Sequence, residues 1–258
     1  FMYRWVALFF VLFLASCASN PLPENCEIRH DDVCYQDASA ACTAAGCPDD
    51  CTILRSYPGQ VECPQDAAKL AEISQSKTVL FVLSGHTELG ETGKKTGYFL
   101  GEVAHPWHVL TTGGVAVEFA SPKGGEVVAD PKSLNMDDPI NKAFVGNPAI
   151  QDALKNTLAA ADVDPARYDG IYFAGGHGAM WDFPNSEPLS TSAAKIYESG
   201  GIVAAVCHGP AGLVNIKLSD GSYLVAGKKV AAFTNSEEEA VKLTETVPFL
   251  LATKLEER

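Results

Sequence analysis

The amino-acid sequence predicts an α/β domain over residues 77–258, a parallel sheet covered on both faces by helices. Three observations predict it. Apolar, β-rich runs at Thr78–Leu83, Val115–Ala120, Ile171–Ala174 and Ile202–Val206 lack the polar alternation of a sheet with one wet face. Segments with helical spacing separate them, which makes βαβ units. Unusual turns follow two of the strands directly, at the carboxyl edge where such sheets bind ligands.

The chain has 258 residues, 47% apolar and 20% charged, the make-up of a folded protein rather than a disordered or fibrous one. Its 19 basic and 32 acidic residues leave a net charge of −13. That charge repels phosphate backbones and anionic membranes, so no nucleic-acid partner is expected and a small molecule is.

From the N-terminus, Arg4 precedes an unbroken apolar run, Trp5–Ala15. At about 1.5 Å per helical residue the run is too short for a ~30 Å hydrocarbon core. A basic residue, a short apolar stretch and then small residues have the layout of a secretory signal peptide. Leu14-Ala15-Ser16-Cys17 is similar to the lipobox of bacterial lipoproteins. Residues 1–16 are therefore expected to be removed and Cys17 lipidated, giving an exported, membrane-anchored protein on the periplasmic or cell-surface side. Phe1 stands ahead of Met2, so the start is either Met2 or upstream of this sequence.

Residues 17–76 hold Cys26, Cys34, Cys42, Cys47, Cys51 and Cys63 among Pro, Asp, Ala and Gly, without sustained apolar periodicity. An even, clustered set in an exported chain predicts a disulfide framework of open connectivity. With no C-x-x-C pair, a metal site is the weaker reading. The segment reads as a spacer that ends in an amphipathic connector, Asp66–Ser76.

Thr78–Leu83 opens the main domain as a strand, and a Gly- and Thr-rich loop, Ser84–Thr96, follows. Phe99, Leu100, Val103 and Leu110 then give Gly97–Thr112 helical spacing, which Pro106 is expected to bend or restart. After the strand Val115–Ala120 come a helix around Ile150–Ala161, a strand at Ile171–Ala174, a helix around Ser190–Ser199 and a strand at Ile202–Val206. Val247–Arg258 reads as a helix nearing its end, with Lys and Arg but no glycine cap. The chain is expected to stop short of a closing element.

Two turns carry the chemistry. Ala205-Val206-Cys207-His208-Gly209-Pro210 has the layout of a nucleophile elbow, where a tight strand-to-helix turn needs small neighbours. A thiol at a helix N-terminus is expected to shift toward thiolate, and Cys207 is the one cysteine of this domain. Ala174-Gly175-Gly176-His177-Gly178 follows the preceding strand. Together the turns form a candidate oxyanion hole from the backbone N–H groups of Gly176 and His208. His105 and His108 read as surface or packing residues, and no metal is expected. Trp181 and Phe183 read as pocket wall or core, and His86 as part of the pocket entrance.

With Lys95–Trp107, Asp182-Phe183-Pro184 and Gly227–Thr234, these motifs make residues 77–258 resemble the DJ-1/PfpI superfamily of class I glutamine amidotransferase-like proteins. More specifically, the motifs are similar to its glyoxalase III and heat-shock chaperone branch. The resemblance implies a flavodoxin-like sheet, no cofactor, and a family chain that continues past Arg258. It implies Cys207 as nucleophile, His208 as its imidazole partner, Glu102 as the carboxyl group beside the thiol, and Glu238 as the acid that orients His208. Glu237 and Glu239 adjoin Glu238 as alternatives, and read alone the run is an acidic first helical turn. The implied activity is a glutathione-independent glyoxalase, a lyase of the D-lactate dehydratase type that turns a 2-oxoaldehyde into a 2-hydroxy acid. The alternatives are a chaperone or stress-response binding protein of the same fold, or an amidase-, peptidase- or deglycase-type hydrolase. Glutamine amide hydrolysis is disfavoured because no histidine follows His208. The expected partner is a small aldehyde, membrane contact comes through the lipid alone, and a homodimer is left open. A cysteine-rich lipoprotein module is not part of the usual family pattern.

Overall fold

The computed structural model describes residues 28–30, 33–35, 37–44, 52–54, 59–62 and 77–258. The chain divides into two compact units, residues 1–70 and 71–258. In the first, β1 (Ile28–His30), β2 (Val33–Tyr35), β3 (Thr52–Leu54) and β4 (Gly59–Glu62) form a sheet in the order β2-β1-β4-β3, with α1 (Ala38–Ala44) between β2 and β3. The expectation of a spacer missed this sheet, because strands of three or four residues are too short for a period-2 pattern to register. Cys42 is buried and disulfide-bonded. The signal segment, Cys17, Cys26, Cys47, Cys51, Cys63 and the connector Asp66–Ser76 lie outside the described residues, as does the side chain of Cys34. Among the described residues no helix is long and apolar enough to cross a membrane.

The second unit has a five-stranded parallel sheet in the order β7-β6-β5-β8-β9. Its strands are β5 (Thr78–Val82), β6 (Ala116–Ser121), β7 (Leu158–Ala159), β8 (Gly170–Phe173) and β9 (Ile202–Ala205). Successive residues of β5 point to opposite faces. Leu80 and Val82 pack with Ile171, Phe173 and, from α6 (Glu187–Glu198), Leu189, Ala193 and Ile196. Phe81 and Leu83 pack with Leu100, Val103, Phe119, Phe144 and Ile150. On that face lie α2 (Leu100–Thr112), α3 (Pro139–Val145) and α4 (Pro148–Lys155). Burial on both faces is why β5 reads as an unbroken apolar run, and each such Leu or Phe contributes ~1.5–3 kcal/mol.

Three local expectations are corrected. α2 runs through Pro106 without restarting, which corrects that half of the expectation. Proline there cannot donate to the Glu102 carbonyl, and the Tyr172 hydroxyl donates to that oxygen instead, at 2.7 Å. The helix expected over Ile150–Ala161 ends at Lys155, because Thr157 exchanges both backbone hydrogen bonds with Gly125 and edge strand β7 begins at the next residue. The helix expected after Cys207 is a 3-10 turn, Gly209–Gly212. Short helices α5 (Ala179–Asp182), α7 (Asn235–Ala240) and α8 (Leu251–Glu256) complete the unit.

Candidate active site

Phe173 of β8 pairs with Ala205 of β9, so the turns leaving these strands lie side by side at the carboxyl edge. Cys207 adopts φ +55°, a left-handed conformation that costs a non-glycine residue about 1–3 kcal/mol. Hydrogen bonds from Val206 N to Phe173 O, Gly209 N to Val206 O and Phe233 N to Cys207 O hold the elbow in place. The glycines opposite are there for space. A Cβ on Gly175 would stand 2.8 Å from the Cys207 Cβ and collide with the Glu102 carboxyl. The bare backbone is what lets α2 bring Glu102 against the sulfur. Gly176 has φ +100°, and a Cβ there would stand 2.8 Å from the Phe99 nitrogen.

The Cys207 Sγ lies 3.4 Å from His208 Nδ1. Glu238 Oε2 is 2.8 Å from His208 Nε2, and Oε1 is 3.1 Å from His177 Nε2. His208 and Glu238 are 0% and 2% exposed. An ionised carboxylate can only accept, so both Nε2 atoms donate to it and His208 Nδ1 is left as the acceptor facing the thiol. Among the three adjoining glutamates the structure brings Glu238 to His208. Glu237 closes a capping box with Thr234, and Glu239 is exposed. The Thr234-Asn-Ser-Glu237 pattern was legible in the sequence and separates Glu237 from the other two.

Burial dominates the electrostatics. It pushes the Cys207 thiol up to about 12, helped by the Glu102 carboxylate and opposed by the backbone N–H groups of Gly176 and His208. The expected shift toward thiolate is thereby reversed, since two N–H groups and a 3-10 turn do not replace the lost water. Burial also raises Glu102, against hydrogen bonds with the thiol and with Gly175. Glu102 Oε2 is buried and has no hydrogen-bond partner of ordinary geometry. Glu102 and Cys207 therefore resist a second negative charge and keep a proton between them. Glu238 goes the other way: burial works to raise it, but the two imidazoles hold it down to about 2. Burial lowers His208 against the pull of Glu238, and His177 adds to the lowering. His208 Nδ1 is thus kept free of a proton.

The sequence reading missed His177 as a functional side chain, because it used Ala174–Gly178 only for backbone donors. It also missed Phe233, whose ring centroid lies 4.2 Å from that of His208. Its signal was the Gly227–Thr234 motif. His177, His208 and Glu238 form a cluster of ligand-type atoms within 4.8 Å among the described residues, in which each imidazole hydrogen-bonds a different oxygen of the carboxylate. His105 pairs with Asp138 at 3.0 Å on the surface, and His108 is exposed. Phe183 is core, and His86 stacks on Trp181 at 5.1 Å. Asp182 accepts from Ser84 Oγ and Gly85 N, and burial raises it to about 6. A cavity of about 840 Å³ opens at the opposite edge of the sheet, beside Lys77, Asp169 and Ile202. Its lining includes none of Glu102, His177, Cys207, His208 and Glu238.

Residues 96–246 match the model of the DJ-1/PfpI family. Glyoxalase 3 of Candida albicans is 37% identical over 174 residues, covering 65% of this chain and 73% of that protein. A glutathione-independent glyoxalase of Schizosaccharomyces pombe is 32% identical over 174 residues, covering 65% and 72%. The crystal structure of glyoxalase III from Candida albicans superposes with a TM-score of 0.61 at 35% identity, covering 66% of this chain and 74% of that one.

Proposed function

Because the chain belongs to the DJ-1/PfpI family, we propose that it is a cofactor-free, glutathione-independent glyoxalase that converts a 2-oxoaldehyde such as methylglyoxal into the 2-hydroxy acid. One observation carries the reading. The Cys207 thiol stands on a strained elbow, 3.4 Å from an imidazole nitrogen that the Glu238 carboxylate leaves unprotonated. The glyoxalase names of two relatives at 37% and 32% identity support it.

In this reading His208 Nδ1 takes the thiol proton as the sulfur bonds to the aldehyde carbon, so a thiol with a high pKa still attacks. The N–H groups of Gly176 and His208 stabilise the oxyanion, which then takes up the proton to give a hemithioacetal. Glu102, beside the sulfur, removes the proton from that carbon and returns it to the neighbouring carbon through an enediol, leaving a thioester. Water attacks the thioester, the C–S bond breaks, the thiol regains its proton, and the 2-hydroxy acid leaves. Cys207→Ala should keep the far-UV circular dichroism spectrum and form no lactate from methylglyoxal without glutathione. Full activity in that variant refutes the mechanism.

For the N-terminus, the reading is export with lipid anchoring at Cys17, supported by Leu14-Ala15-Ser16-Cys17 behind the apolar run. More than one acyl chain is needed to hold a protein firmly on a membrane. Unchanged membrane fractionation of Cys17→Ala removes this reading.

A further inference from the structure

We propose that His177 is a positioning residue, which clamps the Glu238 carboxylate so that His208 keeps Nδ1 toward the Cys207 sulfur. The mechanism above uses no atom of His177, and the proposal rests on the glyoxalase reading only for its kinetic readout.

A glutamate side chain ends in a soft torsion with broad, twofold wells. Glu238 projects from α7, a helix of six residues, and a single hydrogen bond through Oε2 leaves its carboxylate free to turn. His177 takes the other oxygen at 3.1 Å, so each oxygen has its own donor and rotation breaks both bonds at once. The clamp itself stands on rigid backbone. His177 follows Gly176 at φ +100°, and the turn is closed by Ala179 N to Gly176 O and Met180 N to His177 O. It therefore ties α7 to the end of β8 across 61 positions of chain.

Ring packing points the same way. The His208 ring packs against both His177 and Phe233, with centroids 4.1 Å and 4.2 Å away, and those two rings meet edge-on at 6.0 Å. The His177 side chain is 18% exposed and that of Glu238 3%, so of the two partners the carboxylate is the one cut off from water. The hydrogen bond to a buried carboxylate is thus not forced on His177 by its own burial. The group that needs the bond is Glu238, whose second oxygen would otherwise be buried without a donor.

Three variants test this. His177→Ala removes ring and donor, His177→Phe keeps the ring without the donor, and His177→Gln places an amide N–H near the former Nε2. The readouts are kcat and KM with methylglyoxal, and the rate at which iodoacetamide alkylates Cys207. In Ala and Phe, kcat and alkylation should fall about 10- to 100-fold, the scale of a mispositioned catalytic group, with KM within about twofold. Gln should recover most of both. Wild-type rates in Phe, or a Gln variant as slow as Phe, overturn the clamp. If the wild-type protein does not turn over methylglyoxal, the glyoxalase reading fails while the alkylation series still decides the role of His177.

Discussion

Replacing Glu238 with Gln keeps the shape of the side chain and removes one buried charge, with effects on both stability and turnover. The two imidazoles hold the Glu238 carboxyl at about 2 instead of its ordinary 4.5, against the effect of burial. At about 1.4 kcal/mol per pH unit, that shift corresponds to roughly 3 kcal/mol. A carboxyl with a depressed pKa binds its proton less tightly in the folded state than in the unfolded state. Its stabilisation is therefore complete above about pH 4.5 and is lost as pH falls toward 2. Gln carries no such proton, so the gap in unfolding free energy between protein and variant should narrow by roughly 3 kcal/mol from pH 5 to pH 2. Near neutrality the amide offers one oxygen and one NH₂ to two Nε2–H donors, so one imidazole faces a donor or changes tautomer. Turnover should fall by about 10²-fold or more, as when a triad carboxylate becomes an amide. Urea unfolding followed by circular dichroism at stepped pH measures the first effect, and methylglyoxal consumption at pH 7 the second. A stability gap that does not change with pH refutes the ionised clamp, and full turnover in the variant refutes its control of the tautomer.

Glu102→Gln cannot titrate, so methylglyoxal turnover should drop by about 10² to 10⁴-fold with little change in KM. The same change removes the carboxylate that raises the thiol, so alkylation of Cys207 near pH 8 should speed up; a slower rate contradicts the assigned electrostatics. Gly176→Ala puts a side chain at φ +100° against Phe99 and should lower stability by about 1–3 kcal/mol, seen as a lower midpoint in thermal unfolding; an unchanged midpoint refutes the packing argument. Alkylation without reductant, followed by mass spectrometry, should label Cys207 alone in the mature, delipidated chain. Labelling of several cysteines from Cys26 to Cys63 rejects the disulfide framework.

Patterns of neighbouring residues were enough for four of the five strands of the main sheet and for the turn that carries Cys207 and His208. β5 announced itself because a strand buried on both faces has no polar alternation to interrupt it. Cys207 and His208 are adjacent in the chain, and the small residues around them are what a strained turn demands. The strands of the first unit were too short to show a period. What tertiary structure decided were relations between distant positions. A hydroxyl on β8 takes over the carbonyl that Pro106 leaves without a donor, so α2 stays whole and carries Glu102 to the sulfur. His177 and His208 share one carboxylate from α7, and no local periodicity records that meeting. The charge state of the site was the least legible from sequence, because it depends on water. A thiol beside a helix start reads as thiolate until the fold removes its solvent and sets Glu102 against it, which pushes the thiol up to about 12.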